Sequence, residues 1–141
     1  MRPGNHTGDV SAAIQDYVES RGLEVVKGYT GHGVGRDMHE LPQVPNYGVP
    51  GTGMVLRPGM TIAIEPMVLA GHPQTHVLKD QWTVASRDGG LTAHFEHSVA
   101  VTDDGPWILT ALDEADLDAV DPILYNQYFA DRPHHMGVEQ T

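Results

Sequence analysis

Two histidines of the segment GYTGHGVGRDMHELPQV, residues 28–44, stand among closely spaced glycines that disfavour a helix. His32 lies between Gly31 and Gly33, and such small neighbours let a backbone or a ligand approach closely. The segment matches neither the dinucleotide-binding fingerprint nor the Lys-Ser/Thr loop that binds nucleotide phosphates. These residues therefore predict a position of close approach around an imidazole and argue against a phosphate-binding loop.

Two carboxylates interrupt apolar segments that otherwise have the pattern of strands. In TIAIEPMV, residues 61–68, alternation places Glu65 on the face of Ala63, and in LTAHFEHSVAVT, residues 91–102, it places Glu96 on the face of His94. Burying a lone carboxylate costs several kcal/mol unless a cation or hydrogen-bond donors compensate. The two alternatives are strand faces open to water and a site in which one histidine and two carboxylates bind Mn, Fe, Co or Zn.

Composition narrows the class of protein. The chain has 141 residues, a size typical of one domain, and its 0 cysteines exclude disulfides and thiolate zinc sites. The balance of 8 Lys+Arg against 19 Asp+Glu argues against a nucleic-acid surface. No apolar run approaches the roughly 20 residues of a membrane span, and MRPGNHTGDV does not have the pattern of a signal peptide. We interpret the protein as cytoplasmic, with no membrane or nucleic-acid partner.

The elements around these residues follow from periodicity and turn signals. Residues 7–21 predict a helix capped by Thr7, with one apolar face: Val10, Ala13, Ile14, Tyr17 and Val18. LEVVKGY predicts a strand, LPQVPNYGVPGTG a long loop, and DQWTVAS a hairpin with residues 91–102 through RDGG. DDGP predicts a turn into WILT.

Trp82 and Trp107 are expected in the core, and His97 is expected to be a hydrogen-bonded packing residue. We divide the chain into a domain of residues 1–110 and an acidic helix with a mobile tail, residues 111–141.

Four blocks, in order, resemble the C-terminal half of type I methionine aminopeptidases, which have the pita-bread metallopeptidase fold. They are GHGVGRDMHELPQVPNYG, LRPGMTIAIEPMV, DQWTVAS and HFEHSVAVTDDGPWILT, and with the helix they cover about residues 2–110. The resemblance implies an α+β fold with a curved antiparallel sheet and covering helices. Prolidases share the GHG…HE and EP blocks, but EPMV and DQWTV favour methionine aminopeptidase over a proline dipeptidase.

The resemblance also implies roles for individual residues. It assigns metal binding to His32, Glu65 and Glu96, with Glu96 bridging two divalent ions. His39 would contact the scissile peptide and the developing oxyanion, Glu65 could move the proton, and Met38 and Trp82 would line the methionine pocket. Met38 stands where an aromatic residue is more familiar, and His94 where a glutamine is also familiar. The implied reaction is release of N-terminal methionine from nascent chains by a metal-activated water.

The family's site takes five protein ligands, two of them aspartates of the N-terminal half, for which this chain has no counterpart. We therefore expect at most one loosely held ion and an exposed apolar seam. Three hypotheses follow: a truncated enzyme that needs the other half, an enzyme assembled from two chains (a second copy or a separate N-terminal partner), and a non-catalytic interaction module that retains the fold. The first is favoured, and the intact His32, His39, Glu65 and Glu96 count against the third.

Overall fold

The computed structural model describes residues 1–112, so the predicted acidic helix and tail lie outside the described residues except for their first two positions. The described part of the chain forms one helix and ten strands. In chain order they are α1 (Thr7–Glu19), β1 (Glu24–Val25), β2 (Thr30–Gly33), β3 (Glu40–Pro45), β4 (Thr61–Ile64), β5 (Met67–Leu69), β6 (Thr75–Val77), β7 (Val84–Ser86), β8 (Thr92–His94), β9 (His97–Thr102) and β10 (Gly105–Ile108).

The strands form three antiparallel sheets. The largest has the order β10-β9-β4-β2-β3, a second has β1-β5-β8, and β6 and β7 form a two-stranded ribbon. The hydrophobic core cluster of the protein lies against the five-stranded sheet and consists of Val44, Leu56, Ile62 and Val101. The α+β class with antiparallel sheets is therefore as predicted. Among the described residues, no helix has the length and apolar character that crossing a bilayer requires.

Helix α1 packs differently from the prediction. It begins at Thr7 with His6, not Thr7, as the N-cap residue. Of the predicted apolar face only Val18 is buried, and the other buried positions of the helix are Thr7, Gly8, Ser11 and Ala12. The chain after β3 lies directly on Gly8 and Ser11, where it would overlap a Cβ at Gly8. The predicted apolar face lines an open concavity, together with residues of both larger sheets and of the breaks between their strands: Val10, Ala13, Ile14, Tyr17 and Val18 with Ile64, Pro66, Val68, Ala93 and Phe95.

The start of α1 is tied to the chain that follows β3. Asp9 accepts hydrogen bonds from the backbone N–H groups of His6 and Gly51, each at 2.6 Å. These two bonds stabilise the charged carboxylate and hold the pKa of Asp9 below its usual value. The acidic residue of the first turn therefore closes the helix start and anchors the distant loop.

Several local predictions were wrong. Strand β7 pairs with β6, not with the strand after RDGG, and β8 pairs with β5. The loop predicted from Leu41 begins with β3, which adds an edge strand to the large sheet despite its prolines. Trp82 and Trp107 are not in the core, since they are 87% and 64% exposed. The turn at DDGP is as predicted and joins β9 to β10.

Candidate metal centre

Glu65 and Glu96 lie where two strands leave one sheet for another. The predicted strand of residues 61–68 is broken into β4 and β5 at Glu65-Pro66, and the strand of residues 91–102 is broken into β8 and β9 at Phe95-Glu96. Proline has no N–H to donate to a ladder, which favours a break at that point. The two breaks face each other, because Ile64 pairs with His97 on one side and Met67 with His94 on the other.

His32 reaches the same place from β2. It pairs with Ala63 of β4, two residues before Glu65, so its side chain lies on the face that Glu65 shares. The flanking glycines permit this close packing: a Cβ at Gly31 would overlap the Ala63 carbonyl oxygen, and one at Gly33 would overlap the Leu41 carbonyl oxygen. The glycines thus allow the backbone of neighbouring strands to approach β2 closely, and this packing brings His32 close to Glu65.

Glu65 stands between two imidazoles. Its Oε1 lies 3.4 Å from His32 Nε2 and its Oε2 lies 3.5 Å from His94 Nε2. The side chains of His32 and Glu65 are 12% and 15% exposed, whereas His94 is 49% exposed. Both distances exceed the 2.7–3.2 Å of an ordinary hydrogen bond to nitrogen. Two atoms that each bind one ion at about 2.1 Å are about 3.4 Å apart at the tetrahedral angle, so the separations suit a shared cation.

The tautomer of His32 supports the same interpretation. Its Nδ1 lies 2.9 Å from the Gly33 carbonyl oxygen, which can only accept, so Nδ1 carries the hydrogen. In the neutral ring Nε2 then directs a lone pair toward the Glu65 carboxylate. Two such acceptors repel each other unless a proton or a cation lies between them. A backbone carbonyl that orients the ring in this way is a usual arrangement behind a metal-binding histidine.

A second group of possible ligands includes a residue that the sequence analysis did not assign to the site. Donor atoms of Glu65, His94 and Glu96 all lie within 4.8 Å of one another. The resemblance implies of His94 only that it stands where a glutamine is also familiar. Its strand partner Met67 sits just beyond the Glu65-Pro66 break, and the resulting closeness to Glu65 depends on a β5–β8 pairing that the sequence did not predict.

Asn46 supports the site from a position that no sequence pattern singles out. Its side chain is fully buried, and its Nδ2 donates a 3.1 Å hydrogen bond to the backbone carbonyl of Glu65. This carbonyl belongs to the break between β4 and β5, where no strand partner is paired with Glu65. Asn46 is therefore a positioning residue for Glu65. Its place within the quoted block ending PNYG was the only available signal.

We expect Asn46→Ala to weaken divalent-ion binding and to lower the free energy of unfolding by about 1–3 kcal/mol, since a partly buried carbonyl loses its donor. Urea unfolding and titration calorimetry with Co²⁺ measure the two effects. Gln43→Ala, at an exposed position of β3 shortly before Asn46, is the matched control. Unchanged metal affinity in Asn46→Ala would contradict a positioning role.

The remaining predicted site residues are placed at different distances from this cluster. The rings of His32 and His39 are 4.3 Å apart between centroids, so His39 lies beside the candidate ligand, on the exposed turn between β2 and β3. Met38, its neighbour, is 73% exposed. Trp82 lies in the turn between β6 and β7, where Asp80 accepts the backbone N–H of Trp82 at 3.0 Å. The structure thus brings His39 to the cluster and leaves Met38 and Trp82 open to solvent.

Comparison with known proteins indicates the family to which the chain belongs. The sequence profile of metallopeptidase family M24 matches residues 1–103. Methionine aminopeptidase 1 of Bacillus subtilis is 52% identical over 109 residues, which cover 77% of this chain and 44% of that protein. The Clostridium acetobutylicum methionine aminopeptidase is 53% identical over 107 residues, 76% of this chain and 43% of that protein. The chain therefore spans less than half the length of these relatives.

Solved structures agree with the sequence comparison. The crystal structure of methionine aminopeptidase from Thermotoga maritima superposes with a TM-score of 0.78 at 54% identity, over 79% of this chain and 45% of that one. The prolidase from Pyrococcus furiosus, at 24% identity and a TM-score of 0.57, shares the fold alone. These likenesses confirm the prediction that the chain has part of the pita-bread fold. With the match over residues 1–103, they show that the chain belongs to metallopeptidase family M24.

Proposed function

We propose that this chain provides the histidine and glutamate side of a methionine aminopeptidase site that removes N-terminal methionine from nascent chains in the cytoplasm. The observation that carries the proposal is the convergence of His32 and Glu65, with Glu96 nearby, from three segments in a protein of family M24. Their imidazole and carboxylate donors suit Mn, Fe, Co or Zn. The identity of the relatives supports methionine as the released residue.

The roles of the residues follow from their chemistry. Bound divalent ions would supply Lewis acidity toward the peptide carbonyl and lower the pKa of the attacking water. His39, on the exposed turn beside His32, would donate a hydrogen bond to the oxygen that becomes negative. Glu65 can accept the proton of the attacking water and pass it to the departing amine. Met38 and Trp82 would close on the methionine side chain when peptide binds.

The apolar concavity beside α1 supports a polypeptide partner. Tyr17 and Phe95 on its walls are 62% and 69% exposed, although both are large aromatic side chains. The relatives contain more than half their length beyond the region this chain matches. We propose that polypeptide equivalent to that region covers the concavity and supplies the remaining metal ligands. A second copy of this chain is the alternative occupant.

Methionine release from a Met-Ala-Ser peptide tests the proposal. We expect slow or no release by the purified chain with Mn²⁺, Fe²⁺ or Co²⁺ under anaerobic conditions. Adding the part of the Bacillus subtilis relative that this chain does not span should restore metal-dependent release. Glu96→Ala should abolish the restored activity, and Glu19→Ala, an exposed glutamate at the end of α1, should not.

The outcomes separate the hypotheses. Methionine release by the chain alone, together with a dimer in sedimentation analysis, would show that the active site is completed by a second copy of this chain and not by a separate N-terminal partner. Folded protein that binds no metal and gives no release with the partner would refute the proposal and leave a non-catalytic interaction module. A proline dipeptidase is less favoured because two prolidases match at 26% and 27% identity and a methionine aminopeptidase at 54%.

A further inference from the structure

We propose that His94 is a metal ligand in this chain and that, with Glu65 and Glu96, it forms a site for one divalent cation. The inference rests on the proposed function only in that Glu65 and Glu96 bind metal there. It adds a second imidazole to the set of His32, Glu65 and Glu96. The chain's own residues would then hold one ion without ligands from a partner.

The positions of the donor atoms support this role. His94 Nε2 lies 3.5 Å from Glu65 Oε2, which is too long for a good hydrogen bond and close to the separation of two atoms on one tetrahedral ion. A donor atom of Glu96 completes a group whose members all lie within 4.8 Å of one another. The opposite oxygen of Glu65 faces His32, so His94 approaches a side of the carboxylate that His32 does not occupy.

The local backbone holds His94 in place while leaving the site open. His94 ends β8, whose pairing with β5 sets it opposite Met67, two residues beyond Glu65. Its side chain is 49% exposed, and Glu96 is exposed as well. A hydrated cation can therefore reach both side chains from solvent. Glu65, which is 15% exposed, provides the fixed point.

A second imidazole has a consequence for metal preference. Nitrogen donors favour Co²⁺, Ni²⁺ and Zn²⁺, whereas carboxylate, carbonyl and water oxygens suit Mn²⁺ and Mg²⁺. One imidazole and two carboxylates at this ion, with the His32 imidazole at the opposite oxygen of Glu65, therefore favour Co²⁺ or Zn²⁺ over Mn²⁺. A glutamine at position 94 would offer an amide oxygen and reduce that preference.

Titration of the whole chain with Co²⁺ and with Mn²⁺ tests the inference. We expect one ion per chain, and we expect His94→Gln to weaken Co²⁺ binding about tenfold or more while changing Mn²⁺ binding by less than about threefold. The visible absorption bands of bound Co²⁺ should shift when a nitrogen donor is lost. His76→Gln, at an exposed histidine of β6, is the control and should leave both affinities unchanged.

Metal-free unfolding curves show whether each variant retains the fold. An unchanged ratio of Co²⁺ to Mn²⁺ affinity and an unchanged Co²⁺ spectrum in His94→Gln would overturn the role of His94. If Glu65→Gln still abolished binding in that case, the ligand set of the proposed function would stand without His94. A folded wild-type chain that binds neither ion would overturn this inference, and methionine release in the presence of the partner would then decide the proposed function separately.

Discussion

Replacing Glu65 with glutamine should lower the affinity of the chain for Co²⁺ at least about a hundredfold. Loss of a residue that merely supports a ligand typically costs 10–100-fold in affinity, so loss of a carboxylate between two imidazoles should cost more. Glu65 is the residue common to both histidine contacts and to the group with Glu96. Its replacement therefore affects every combination of ligands that the structure brings together. Titration calorimetry measures the change.

The same Glu65→Gln substitution, which weakens metal binding, should not lower the stability of the metal-free protein. Glu65 is 15% exposed, and a mostly buried carboxylate without metal carries a desolvation cost. Glutamine keeps the shape without the charge, so we expect the metal-free Glu65→Gln variant to be as stable as the parent chain or more stable in urea. Glu19→Gln provides the exposed control. Retained Co²⁺ affinity in Glu65→Gln would refute Glu65 as a ligand, whereas a destabilised variant would point to a structural role.

Gly31→Ala should lower the free energy of unfolding by about 3 kcal/mol, because the added methyl group cannot fit without moving a strand. A Cβ at this position would overlap the Ala63 carbonyl oxygen of β4 and come within 3.1 Å of the Val44 carbonyl oxygen of β3. Both neighbours are backbone atoms of paired strands, so neither can rotate away. The displacement of β2 should also weaken metal binding, since it carries His32 away from Glu65.

Urea unfolding of Gly22→Ala separates overlap from backbone strain. Gly22 has a φ of +70° and nothing near its missing Cβ, so alanine there should cost only the conformational penalty of about 1 kcal/mol. Gly31 does not have a positive φ, so the cost of alanine there comes from atomic contact alone. Equal losses in the two variants would mean that close packing around His32 is not what Gly31 provides.

Much of the architecture was predictable because local patterns and the resemblance agreed. The start of α1 at residue 7, the apolar face around Ile14 and the turn at DDGP follow from periodicity and turn chemistry. The sequence predicts a site at His32, Glu65 and Glu96 because each stands in a motif block, and because carboxylates within apolar segments need a partner. The pairing of the strands was not predictable, because alternation shows which face a side chain shares but not which strand lies beside it.

The sequence by itself determined the family, the fold class and the residue types available for metal binding. Only the tertiary structure decided how they meet. Each of two predicted strands breaks at its glutamate, the two breaks face each other, and His94 and Asn46 join the site through pairings and packing between distant segments. The physical reason is that contacts between distant segments depend on register and on the packing of whole sheets. Spacing along the chain constrains neither of these.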